Sequence, residues 1–260
     1  MSQLLGAARI FIIIIVITLG LMLVLLANLL PMRYRGSRLS AWIATGLARI
    51  FAVVFNVRYR CNQPEKLKRH QGFIFSNHVS YLEPIVLFCL MPVRFLAAIE
   101  VQRRPIVGQL AEGVGTIFVE RAKRESRQDA RNAIADALHR EPQPPLALFP
   151  EGKLGPGIKL NPFRYGAFEI AAANSIAYLP CAIRYTNLDV VVWYGGSGES
   201  LMAALWRLAV FPGPVHAEII PLDTVQPTPQ DDPTQLAQAA ERMIARELGF
   251  EVIESGGVEE

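Results

Sequence analysis

The chain is poor in cysteine and histidine: only three of its 260 residues are Cys and four are His. Cys61, Cys89 and Cys181 lie far apart and form no Cys-x-x-Cys pair. Three widely spaced cysteines without such a pair argue against a disulfide framework or a zinc centre and for a reducing compartment. The three thiols read instead as small buried apolar side chains, and no metal is implied.

Other familiar devices are missing as well. No run of Lys/Arg is interleaved with aromatics, as a nucleic-acid footprint requires. Gly152-Lys153 is followed by Leu154 instead of Ser or Thr, and Gly113-Val114-Gly115 lacks the third glycine of a dinucleotide loop. Gly195-Gly196-Ser197-Gly198-Glu199 resembles a nucleophile elbow without its second glycine, and His216 is the only imidazole after it. Nucleotide binding through these loops and serine-nucleophile chemistry are therefore not indicated.

What is present is apolar and unevenly charged. The formal charge of +3 hides a head in which the first 70 residues carry ten Lys/Arg against the single acid Glu65. Ile10 to Pro31 is a run of twenty-two residues without a charge. As a helix at about 1.5 Å per residue it reaches roughly 33 Å, enough to cross a hydrocarbon core. Arg33, Arg35 and Arg38 follow it, and no small-residue cleavage site intervenes, so the segment reads as a retained anchor. Three arginines after the segment against Arg9 before it place the rest of the chain on the cytoplasmic side of a membrane, if the segment spans.

A second apolar segment, Leu39 to Val57, carries Arg49 near its middle. In helical projection Ile43, Leu47, Ile50 and Val54 share one side, while Thr45, Arg49 and Asn56 gather opposite. That is the pattern of a helix lying in an interface or packing on a partner. Residues 1–58 thus read as a two-helix membrane anchor, with membrane lipids as the implied partner, and 59–254 as one folded domain.

Past residue 57 short β-rich runs alternate with amphipathic stretches. Strands are predicted at Val57–Arg60, Gly72–Ser76, Val93–Ala98, Gly115–Val119, Pro145–Phe149, Tyr178–Tyr185, Val190–Tyr194 and Val215–Ile220. Helices are predicted at Tyr81–Leu90, Pro105–Glu112, Ser126–Glu141, Phe163–Ala173, Leu201–Ala209 and Thr234–Leu248. The alternation predicts an α/β fold, a layered and largely parallel sheet with flanking helices, with chemistry at the strand-to-helix loops. Pro221–Pro233 reads as a linker that delivers the last helix.

Four short segments at strand ends carry the chemistry. In Asn77-His78-Val79-Ser80-Tyr81-Leu82-Glu83, His78 falls in a strand-to-helix loop and Glu83 about one and a half turns into the following helix. A carboxylate there can take one ring nitrogen, fix the tautomer and raise the basicity of the other nitrogen toward a substrate alcohol. Gly115 to Arg121 ends a strand on an arginine, suited to phosphate or carboxylate. Phe149-Pro150-Glu151-Gly152 ends another on a turn, where the Gly152 amide could meet an oxyanion. Leu179-Pro180-Cys181 breaks a third run with proline. Each alone has a dull explanation as a strand end or turn; their joint occurrence in this order does not.

In these four segments, over about residues 60 to 222, the chain resembles the lysophosphatidic acid acyltransferases (1-acylglycerol-3-phosphate acyltransferases) within the glycerophospholipid acyltransferase superfamily. The family's His with an Asp five positions on is matched by His78 and Glu83, and its glycine, phenylalanine and arginine by Gly115, Phe118 and Arg121. Its Phe-Pro-Glu-Gly is matched by Phe149, Pro150, Glu151 and Gly152, and its proline motif by Pro180. The resemblance implies a His–acid pair that deprotonates the acceptor hydroxyl, glycerol phosphate held by the second and third motifs, and an acyl side lined by the last. It implies acyl-CoA or acyl carrier protein as co-substrate and no cofactor. A membrane-lying two-helix element also occurs in bacterial members. Three departures stand out: Glu83 replaces Asp, Lys153 and Leu154 replace Thr and Arg, and the stretch from Ala98 to Gly108 lacks the usual lysine. The acceptor's phosphate would then meet mainly Arg121 and Lys153.

Overall fold

Residues 2–30, 32–103, 107–119 and 124–250 are described in the computed structural model of the chain. The sequence's longest apolar run forms helix α1 (Ser2–Asn28), long and apolar enough to cross a membrane by length and composition. A two-strand hairpin, β1 (Arg33–Tyr34) and β2 (Ser37–Arg38), turns the chain through Arg35 and Gly36, both at positive φ. It leads into α2 (Leu39–Val54).

The α1 and α2 helices pack closely on each other, and α1 also lies against the body of the protein. The close approach depends on Gly20, where an added Cβ would stand 2.5 Å from the Leu47 side chain. The buried face of α2 is made of Ser40, Ala41, Thr45, Ala48 and Ala52, while Ile50 and Val53 point outward. On α1, Phe11, Ile15, Leu19, Met22 and Leu26 are exposed. Small residues inward and large apolar residues outward is the reverse of a water-facing helix, and it suits a lipid environment.

Both arginines of these helices turn into the protein. Arg9, 8% exposed, donates from Nη1 to the carbonyls of Ala209 (3.0 Å) and Phe211 (2.7 Å). Arg49 donates from Nε to Cys89 O at 2.9 Å. Each cation satisfies carbonyls at a helix C-terminus that the helix itself leaves unpaired. The polar side of α2 therefore meets a partner within the same chain.

The body is a seven-stranded sheet between two helical layers. Its first strand is β3 (Val57–Cys61), followed by α3 (Pro64–Arg69), β4 (Phe73–Ser76) and α4 (Leu82–Leu90). Then come β5 (Arg94–Ala98), α5 (Ile99–Gln102), α6 (Val107–Gly113), β6 (Ile117–Val119), α7 (Arg124–Arg140) and β7 (Leu146–Leu148). The chain continues through α8 (Gly166–Ala173), β8 (Tyr178–Tyr185), α9 (Leu188–Val191), α10 (Leu201–Val210), β9 (Val215–Pro221) and α11 (Pro233–Leu248). The spatial order is β3-β9-β8-β4-β7-β5-β6. From β8 to β6 every pairing is parallel. The β3–β9 pair is parallel within itself and antiparallel to the rest through β8–β9.

All four residues of β4 are fully buried, as a continuous apolar strand inside a two-sided sheet must be. Its side chains alternate between two cores. Ile74 meets the layer of α4, α10 and the inner face of α2. Phe73 and Phe75 join Phe168, Tyr178 and α11 on the other side.

Two stretches fold otherwise than their sequences predict. The run Val190–Tyr194 forms no strand: α9 occupies its start and a 3-10 turn at Gly195–Ser197 follows. Both edges of β8 are already taken by β4 and β9, and the Arg207 guanidinium binds the carbonyls of Val190 and Val192 that a ladder would have used. The segment Pro221–Pro233 is no free linker, because Val225 exchanges two 2.9 Å backbone hydrogen bonds with Tyr178. Asp232 at its end caps α11.

Candidate active site

The loop between β4 and α4 carries His78, and five hydrogen bonds from three other segments fix it. Pairing of β4 with β8 ends at Ser76–Cys181. The Asn77 carboxamide then replaces the next backbone rung: Nδ2 donates to Ile183 O (2.9 Å) and Oδ1 accepts from Ile183 N (2.8 Å). His78 N donates to Glu151 Oε1 at 2.8 Å, His78 O accepts from Gly155 N at 2.6 Å, and Val79 O accepts from Trp193 N at 3.0 Å. Within the loop, Ser80 Oγ accepts from Leu82 N and starts the helix.

Glu83 lies in the first turn of α4, not deeper in the helix, and its side chain folds back onto the loop. Oε2 accepts from His78 Nδ1 (2.9 Å) and from Ser80 N (2.9 Å). The carboxylate is 0% exposed, whereas the His78 side chain is 23% exposed. Burial pushes the Glu83 carboxyl above the usual carboxylate range, opposed by its hydrogen bonds with His78 and Ser80. The imidazole stacks on Phe149 with centroids 4.2 Å apart, and Phe149 stacks in turn on Phe95. With Nδ1 engaged, Nε2 is the nitrogen able to take a proton.

Glu151 is buried and wholly engaged. Oε1 takes the His78 amide, and Oε2 takes both the backbone N and Nδ2 of Asn161, each at 2.8 Å. Desolvation raises its pKa against those donors. It joins the His78 loop to the Asn161 turn, a role absent from the sequence reading. Gly152 stands at φ +68°, and an added Cβ would lie 2.9 Å from Arg164 Nε. The Gly152 amide closes the turn onto Phe149 O at 3.0 Å, so it is engaged and not open to an oxyanion. Lys153 is exposed. Arg164, which sequence spacing does not bring to this turn, is placed there by its backbone N–H, which donates to Pro150 O at 3.0 Å.

The remaining residues are more distant. Pro180 is buried inside β8 opposite Phe75, with its carbonyl taking Leu222 N. Gly115 makes the turn into β6 at φ +80°, and Phe118 sits in β6 opposite Ala97, half-buried. The β6 strand is three places from β4, about 14 Å at ~4.8 Å per strand. Arg121 lies outside the described residues. Asn77, Asn161, Phe149 and Arg164 are the contributors that motif reading passed over or left without a role, because each acts through tertiary contact.

The chain is similar to known proteins in sequence and in fold. The family model described as Acyltransferase matches residues 58–184. The lyso-ornithine lipid O-acyltransferase of Pseudomonas aeruginosa is 31% identical over 225 residues, 84% of this chain and 80% of that protein. The 1-acyl-sn-glycerol-3-phosphate acyltransferase of Neisseria gonorrhoeae is 27% identical over 149 residues, 57% of each chain, so the match spans little more than half of that relative. Among solved structures, the 1-acyl-sn-glycerophosphate acyltransferase PlsC of Thermotoga maritima shares the fold at a TM-score of 0.70 and 16% identity, covering 96% of this chain and 97% of that one. This chain belongs to the lysophosphatidic acid and lysolipid acyltransferase family and is an acyltransferase.

Proposed function

We propose that the protein transfers a fatty acyl group from acyl-CoA or acyl carrier protein to the free hydroxyl of 1-acyl-glycerol-3-phosphate, giving phosphatidic acid for phospholipid biosynthesis. The observation that carries this is the 2.9 Å contact between His78 Nδ1 and the fully buried Glu83, beside an imidazole that remains accessible. His78 Nε2 takes the acceptor's hydroxyl proton as that oxygen attacks the thioester carbonyl. The new C–O bond forms and the C–S bond breaks. The leaving thiolate takes the proton back from the imidazolium, which Glu83 stabilises meanwhile.

No covalent relay through the protein is needed, since a thioester is already activated. Cys181 is fully buried opposite Ser76, and the Ser80 hydroxyl is committed to starting α4. Arg121 and Lys153 are assigned to the acceptor's phosphate, together with Arg164 beside the Gly152 turn. The outward apolar residues of α1 and α2 seat the protein in a membrane, with the catalytic body facing the cytoplasm.

A second acceptor, a lyso-ornithine lipid, is supported by the long match to relatives with that name. Besides P. aeruginosa they include a Brucella abortus protein, 30% identical over 70% of both chains. The deciding experiment gives purified protein radiolabelled palmitoyl-CoA or palmitoyl acyl carrier protein with an equimolar panel of lysolipids. Label in phosphatidic acid supports the first acceptor, and label in ornithine lipid replaces it with the second. Label in neither, with an intact fold, overturns both.

A further inference from the structure

One buried polar group near the site has no role in the mechanism above. On β8 the residues Leu179, Cys181, Ile183 and Tyr185 face the core that contains α4, and Tyr185 is the last of them. Its hydroxyl is fully enclosed and makes no hydrogen bond of full geometry. The same holds for one other buried side-chain atom among the described residues, Glu83 Oε1. The two groups interact with each other: Tyr185 contributes a hydrogen-bonding influence on the Glu83 carboxyl, and Glu83 together with burial pushes the phenol well above its ordinary pKa. Glu83 thus has its Oε2 edge filled by His78 and Ser80 and its Oε1 unpaired, and the Tyr185 hydroxyl, also unpaired, is able to donate to it.

A buried carboxylate with one unsatisfied oxygen is costly, and a tyrosine fixed in a strand is a rigid donor. Asn77 holds Ile183, two residues before Tyr185, so the loop that carries His78 and the strand that carries Tyr185 are fixed to each other. The extra methylene of glutamate, relative to the aspartate usual in the family, extends the carboxylate further from the helix backbone.

We infer that Tyr185 is a positioning residue for the reaction: its hydroxyl donates to Glu83 Oε1 as the imidazolium forms and holds the longer carboxylate in line with His78. The inference rests on His78 acting as base with Glu83 as its partner. Tyr185 touches neither substrate nor the reacting atoms, and it acts through Glu83 alone. The donated bond favours the ionised carboxylate, so it keeps Glu83 ionised to lower pH.

The test is Tyr185→Phe, which keeps the ring and removes only the hydroxyl, measured beside His78→Ala and in a Glu83→Asp background. Loss of a hydrogen bond to a charged group predicts a kcat lower by on the order of tenfold to a hundredfold, with KM unchanged. The acid limb of the kcat/KM profile should move to higher pH. In the Glu83→Asp background, where the carboxylate has drawn back, Tyr185→Phe should change the rate by less than about twofold, the non-additivity of a shared interaction. Wild-type rates in Tyr185→Phe, or a loss that is equal in both backgrounds with an unmoved acid limb, would overturn the inference. If Tyr185→Phe proves unstable, the comparison made at a temperature where both Glu83→Asp chains are folded still decides it. An active His78→Ala would instead overturn the base assignment itself, which separates the two failures.

Discussion

The two N-terminal helices and the His78 loop are built on opposite plans. The helices pack through small residues, with Gly20 against Leu47 and Ala41, Ala48 and Ala52 turned inward, and show large apolar side chains to the outside. The loop is polar and enclosed, its shape set by Asn77, Glu83, Glu151 and Asn161 acting as hydrogen-bond clamps. The first plan tolerates exchange of one outward apolar residue for another, because lipid is a permissive neighbour. The second tolerates little, since each buried acceptor left without its donor carries a full desolvation penalty. An outward apolar surface and an enclosed polar site are thus carried by separate parts of the chain.

The sharpest break in this comparison is His78→Ala. Loss of a general base should lower the acyl-transfer rate about a hundredfold to ten-thousandfold, while circular dichroism and sedimentation with vesicles stay as in wild type.

Glu83→Gln should lose most activity for a second reason: an amide does not stabilise an imidazolium and can present the wrong group to Nδ1. Its stability should move the other way. Burial raises the Glu83 carboxyl in the folded state, so the folded protein holds that proton to higher pH than the unfolded chain does. The wild type therefore loses stability as pH rises from the ordinary carboxylate value through the raised one, and the glutamine variant does not. Thermal melts across that window should show Tm of Glu83→Gln gaining on wild type with rising pH. A constant difference would remove the assignment of a costly buried charge.

Asn161→Ala sharpens the role of Glu151. It frees one of the bonds on Oε2 and loosens the clamp on the His78 amide. The expected outcome is kcat lower by roughly tenfold, the cost of slight misplacement of a catalytic group, with KM little changed. A rise in KM alone would point to substrate contact.

The smallest effect is predicted on the other side of the comparison. Val53→Ser and Ile50→Ser on α2 remove outward apolar groups that touch little of the body. Stability in detergent should stay within about 0.5 kcal/mol of wild type, whereas the fraction bound to anionic vesicles should fall. Unfolding in detergent would show that this face is covered by protein.

Much of this plan was legible in the sequence. Ile10 to Pro31 shows its character by composition, and β4 by an unbroken apolar run that only a strand buried on both faces requires. His78 and Glu83 were legible as a pair because five positions of chain link them. The functions of Glu151 and Tyr185 were not, since their partners lie 73 and about 100 residues away in sequence, at distances that no local pattern encodes. Val190–Tyr194 misled for a related reason: its β-branched residues fit a strand, but the neighbouring strands of the sheet leave it no edge. Likewise the sequence offers the Gly152 amide to an oxyanion, whereas the turn onto Phe149 O occupies it.

The site is built around a carboxylate of glutamate length that orients His78. Initial rates of palmitoyl transfer from thioester to lysolipid, for wild type and Glu83→Asp under one set of conditions, test it most directly. Retraction by one methylene is predicted to make the aspartate variant slower than wild type by tenfold or more, as misplacement of a catalytic group implies. An aspartate variant as fast as wild type, or faster, would contradict the claim.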